Sequence, residues 1–148
     1  MSHYRSRPPA NKQNLTYSCW AAALDSFSRA TAGVPTLKEK DLIATYGSGA
    51  NGALGAPGLA RLKTALAAYG VRVDLLASIS LPYDIEDRLQ KSHVVLARQV
   101  AGDDWHAWMV YGIDNFLMYM DPRDGMFHAM NWSTGLTSAR GWYLFWKP

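Results

Sequence analysis

The 148 residues are 49% hydrophobic and 18% charged, which suits one globular domain able to bury a core without disulfide or metal staples. The formal charge of +3 comes from the first twelve residues, where Arg5, Arg7 and Lys12 meet no acid; the rest is charge-balanced, which argues against a nucleic-acid binder with a basic stripe on its folded part. Cys19 stands alone, excluding an intrachain disulfide framework and a cysteine-rich zinc site, and no apolar run reaches the ~18 residues of a membrane span.

Residues 1–12 read as a flexible, Pro-containing tail and 13–148 as the domain. From Ser18 the apolar spacing predicts a helix through Trp20, Leu24 and Phe27, ending near Gly33-Val34-Pro35. Thr36-Leu37-Lys38-Glu39 has the form of a capping box opening a second helix through Leu42, Ile43 and Tyr46. A Gly-rich loop over 47–57 follows. Pro57 then suits the first turn of a third helix, with Leu59, Leu62, Leu66 and Tyr69 inward and Gly70 as its stop.

The period then changes. Residues 71–76 predict a short strand and Ser80-Leu81-Pro82 a fourth helix to about Lys91. Strands are expected over 94–100, 106–113, 116–121, 127–132 and 142–146, with Asp114-Asn115 as a two-residue hairpin turn. Helices first and antiparallel strands second make the fold class α+β.

Cys19 sits where the first helix begins, and the free N–H groups and partial positive charge of a helix start favour a thiolate there. A lone cysteine is equally at home as a small buried apolar residue. A nucleophilic thiol needs a base, and the candidates are His3, His93, His106 and His128. His3 is in the tail, His93 at the mouth of an apolar strand and His128 among aromatics. His106 opens a strand after the polar turn at 101–104, so it can face a cleft while the strand fixes its backbone. Asp121 ends the next strand, near the same end of the sheet, and can orient the imidazole; an Asp before Pro122 is also ordinary turn chemistry.

Gln13, six residues before Cys19-Trp20-Ala21, then a distant His106 within Trp105-His106-Ala-Trp-Met-Val-Tyr-Gly-Ile, then Asp121-Pro122, together resemble the papain-like cysteine peptidases. The likeness is to their short bacterial branch of plant-pathogen avirulence effectors, bacteriocin-leader peptidases and papain-fold toxin domains. It implies a papain-like fold with the nucleophile helix packed on a C-terminal antiparallel sheet. It also implies Cys19 as nucleophile, His106 as base, Asp121 as orienting group and Gln13 as oxyanion donor, with no metal or other cofactor. Asn131-Trp132 looks superficially like the Asn and shielding Trp of larger relatives, but falls too far after His106, so Asp121 is preferred.

On this reading the chain is a thiol protease cutting specific target proteins as a bacterial effector or toxin domain. Trp20, Trp105, Gly47 and Gly49 are expected to wall the substrate groove, and the two tryptophans to meet an immunity or inhibitor protein. No nucleic acid or membrane partner is expected. No secretory signal pattern opens the chain, so the expected setting is the cytoplasm of a target cell, or delivery by a specialised system. The same site serves a peptidoglycan amidase or endopeptidase, a transglutaminase-like acyl transferase and a leader-processing peptidase. A non-enzymatic binding module on the same fold is the remaining alternative.

Overall fold

Alternation of apolar residues builds a continuous antiparallel sheet in the second half of the chain, and the helices of the first half cover it. The computed structural model describes residues 3–101, 104–136 and 141–148. In chain order the elements are β1 (His3–Tyr4), α1 (Cys19–Ala30), α2 (Glu39–Tyr46), α3 (Ala56–Ala67), β2 (Arg72–Leu76), α4 (Tyr83–Leu89), β3 (Val94–Ala101), β4 (Asp104–Ile113), β5 (Phe116–Asp121), β6 (Met126–Asn131), α5 (Trp132–Gly135) and β7 (Gly141–Trp146). The sheet order is β2-β7-β3-β4-β5-β6, with β1 paired to β4. The architecture is the expected α+β.

The sheet buries both faces. Val95, Ala97, Ala107, Met109, Met120 and Phe145 point at α1, whose Leu24 and Phe27 are fully enclosed. Val94, Leu96, Trp108, Val110, Leu117 and Leu144 form a second core under α4 with Ile85 and Leu89. Residues of β4 alternate between these cores because successive strand side chains point to opposite faces. α1 is therefore held along its length, which fixes Cys19 at its first position.

Several local expectations change. The segment expected as a flexible tail is docked from residue 3 onward. β4 runs past the end of β3, whose first partner pair is Val94 with Val110, and His3 and Tyr4 fill the edge opposite Ile113 and Gly112. The Tyr4 ring packs over Gly112, where a Cβ would collide with it. The capping box does not form. Lys38 is the N-cap of α2 without a side-chain cap, and Glu39 turns inward instead. Leu62 and Leu66 are buried as expected, but α3 ends at Ala67 and Tyr69 is 41% exposed beyond it. β4 starts two residues before His106, and residues 102–103 of the expected turn lie outside the described residues. Among the described residues no helix is long and apolar enough to cross a membrane.

Candidate active site

Three elements deliver the site. The N-terminus of α1 brings Cys19, β4 brings His106 and the end of β5 brings Asp121. His106 Nε2 lies 3.1 Å from Asp121 Oδ1. The Cys19 thiol meets the same imidazole and lies 3.5 Å from the Trp105 carbonyl oxygen. Asp121 holds Nε2, so Nδ1 is the nitrogen left to serve the thiol. The Trp108 ring stands edge-on to the imidazole at 5.0 Å between centroids and restricts its rotation.

The electrostatics follow from this packing. Burial alone would push the His106 imidazole down, but hydrogen bonds and charge from Asp121 and Cys19 outweigh it, and His106 is pushed up to about 9. Burial pulls Asp121 up, while hydrogen bonds from His106 and the Arg123 backbone N–H hold its carboxyl below the usual range. An imidazolium so placed is the counter-ion a cysteine nucleophile needs.

Both side chains are more enclosed than a cleft position suggests. Cys19 is 5% exposed and belongs to the α1 core, and His106 is 8% exposed. The close packing of α1 on β4 sinks the pair to the floor of the site.

Gln13 stands on the segment leading into α1. Its backbone N–H donates to the Pro122 carbonyl at 2.7 Å, next to Asp121. Its side-chain amide donates to the carbonyls of Leu15 and Thr16 at 2.9 and 2.8 Å, so neither N–H points at an oxyanion in this structure. The amide oxygen is buried without a hydrogen-bond partner. The Cys19 N–H belongs to the first turn of α1, where backbone donors have no helical acceptor.

A cavity of about 400 Å³ lies beside the pair, lined by Trp20, Leu54, Leu59, Trp105, Tyr143 and Phe145 among others. Trp20 follows Cys19 and Trp105 precedes His106, so each tryptophan continues a site element into the cavity wall. Trp20 is nevertheless 5% exposed, with its indole N–H donated to the Gly52 carbonyl at 2.8 Å. That removes it as a surface contact for a protein partner. Gly47 and Gly49 do not line the cavity. Gly47 closes α2 by donating to the Ile43 carbonyl, and Gly49 sits in the turn with φ 73°. The same loop contributes Ala53 and Leu54 to the cavity wall instead.

The other histidines serve elsewhere. His93 Nε2 lies 2.8 Å from the Ser6 carbonyl oxygen, and burial pushes its imidazole down. His128 pairs with Asp124 at 2.7 Å, and the His3 side chain lies outside the described residues. Asn131 caps α5 by accepting from the Ser133 N–H, away from His106.

Two supporting residues were not legible as such. Glu39, buried, accepts from the Asn14 N–H at 2.8 Å and from the Ser18 hydroxyl at 3.1 Å. It anchors the segment that presents Cys19. Asp25 accepts from the Glu39 N–H at 2.9 Å and ties α2 to α1. The only sequence sign was an acid near a helix start, and that sign has a local reading.

No family model matches the chain, and no curated protein matches it in sequence. Among solved structures, the fold overlays the peptidase domain of Streptococcus ComA, a bifunctional ABC transporter involved in a quorum-sensing pathway. The overlay has a TM-score of 0.69 at 16% identity, spanning 96% of this chain and 100% of that one. The fold is thus that of a papain-like peptidase domain.

Proposed function

We propose that the chain is a cysteine peptidase with Cys19 as nucleophile, His106 as acid and base, and Asp121 as the group that orients the imidazole. The observation that carries this reading is the meeting of the α1 N-terminus with the His106–Asp121 pair. The Cys19 thiolate attacks the scissile carbonyl carbon and a C–S bond forms. The Cys19 N–H holds the resulting oxyanion. His106 Nδ1 gives its proton to the leaving amine as the C–N bond breaks, leaving a thioester. Water, deprotonated by the now neutral His106, releases the acid and restores the ion pair.

Gln13 supplies the second oxyanion donor by turning away from Leu15 and Thr16. Its present orientation leaves a buried oxygen unpaired, at a cost of about 1–3 kcal/mol, so the alternative lies within reach.

The cavity beside Trp105 takes an apolar side chain of the substrate. That favours a peptide over the polar glycan of peptidoglycan. Of the two settings for a peptidase, processing of a peptide segment has the likeness to the ComA peptidase domain behind it. We therefore place processing ahead of an effector or toxin role. The test is capture of new protein N-termini in cells expressing wild type beside Cys19→Ala. One or a few Cys19-dependent termini support the proposal; identical terminus sets contradict it.

A further inference from the structure

Arg123 is an exposed residue two positions beyond Asp121, on the turn between β5 and β6. Its backbone N–H donates to Asp121 Oδ1 at 2.9 Å, so the carboxylate that holds the imidazole also fixes where Arg123 begins. The Gln13 N–H pins the same turn through the Pro122 carbonyl. From there the guanidinium approaches His106, with one terminal nitrogen 3.5 Å from Nδ1.

Asp121 holds Nε2, which leaves this nitrogen for the thiol, and hydrogen bonds and charge from Asp121 and Cys19 favour the charged ring. An imidazolium N–H and a guanidinium both donate and neither accepts, so they do not bond to each other. Among the described residues no carboxylate pairs with the Arg123 side chain. A cation with no carboxylate partner among the described residues thus stands at the atom that protonates the leaving amine in the mechanism proposed above. Residues near that atom border the part of the substrate departing with the amine.

Resting on the peptidase reading, we propose that Arg123 is a specificity residue that binds a carboxylate on the leaving-group side of the substrate. The carboxylate is an Asp or Glu side chain in the first two residues after the scissile bond. A guanidinium offers paired donors matched to a carboxylate, which suits this role better than a lysine.

The experiment uses a proteome-derived chymotryptic peptide library, in which Asp, Glu, Lys and Arg all occur internally, cut by wild type, Arg123→Gln, Arg123→Glu and Cys19→Ala, with cleavage positions read by mass spectrometry. Wild type is expected to prefer Asp or Glu at the first or second position after the cut by about fivefold, the scale of a partly exposed ion pair. Arg123→Gln loses that preference and Arg123→Glu replaces it with Lys or Arg. Cuts by Arg123→Gln with the wild-type residue distribution would overturn the assignment while leaving the peptidase reading intact. Cuts clustered within two residues of peptide C-termini, without acidic enrichment, would assign Arg123 to the free terminal carboxylate and overturn the side-chain proposal. No Cys19-dependent cut at all would overturn the peptidase reading and this inference with it.

A second readout needs no substrate. The ratio of iodoacetate to iodoacetamide rates at Cys19 is expected to fall severalfold in Arg123→Gln, because only iodoacetate carries a carboxylate. An unchanged ratio would show that the guanidinium does not reach the thiol and would overturn the proposal.

Discussion

His106 Nε2 and Asp121 Oδ1 stand 3.1 Å apart on adjacent strands, and the contact leaves Nδ1 for the Cys19 thiol. Burial and pairing pull in opposite directions at this imidazole, and pairing wins. His106 is held near 9 although burial opposes its charge.

The pH dependence follows from that balance. The upper limb of the activity profile is expected near pH 9, where the imidazolium loses its proton. Asp121→Asn keeps partial activity, because an amide oxygen still accepts from the imidazole, but moves this limb down; Asp121→Ala costs more. Stability carries the same signs. The His106 contribution is complete below its ordinary 6.5 and is lost as pH rises through about 9. The Asp121 contribution is complete above 3.8 and is lost as pH falls through its depressed value. A rate profile and a denaturation series against pH check both.

Gln13→Ala is expected to lower turnover by roughly 10²–10³ while Cys19 alkylation stays largely intact, the pattern of a lost oxyanion donor. A parallel fall in alkylation would assign Gln13 to clamping the Leu15–Thr16 carbonyls alone.

Glu39→Ala removes the acceptor for the Asn14 N–H and the Ser18 hydroxyl. The Ser18 hydroxyl keeps the Leu15 carbonyl at 3.1 Å, so the loss is chiefly the charge-assisted hydrogen bond from the Asn14 N–H, about 1.5–3 kcal/mol. Melting temperature and the Cys19 alkylation rate are expected to fall together, because the segment loosened is the one that presents Cys19. Glu39→Gln keeps an acceptor oxygen and should retain most of both.

Gly52→Ala tests the loop that Trp20 holds. Gly52 has φ 74°, and a Cβ there would sit 3.0 Å from Leu15 Cδ1 and 3.2 Å from Ser18 Cβ. A left-handed conformation costs a non-glycine residue about 1–2 kcal/mol, and the crowding falls just ahead of Cys19. A stability loss of that order, with slower alkylation, is expected. Gly49→Ala also has positive φ but open space around it, so it should destabilise without disturbing Cys19.

The sequence revealed those features whose cause is local. Apolar spacing gave α1 and its start at Cys19, and alternation gave β5 over the residues where it lies. Hairpin logic placed His106 and Asp121 on neighbouring strands. What stayed hidden depends on distant partners. β1 exists because β4 outruns β3, which neither stretch shows by itself. Glu39 has the spacing of a capping residue but is drawn inward by donors around 20 residues earlier. Gly47 and Gly49 looked like groove because glycine permits close approach, yet one closes a helix and the other makes a turn. Arg123 reads as ordinary turn charge until the fold sets it against Nδ1.

The most direct measurement is the rate of Cys19 alkylation by iodoacetamide at pH 6 in wild type and His106→Ala, with circular dichroism confirming that both fold. A thiol activated by the His106 imidazolium predicts ready labelling of wild type and a loss of about tenfold or more in the variant. Equal rates in the two proteins, or a wild-type Cys19 that resists labelling as a sealed core thiol does, would contradict the account.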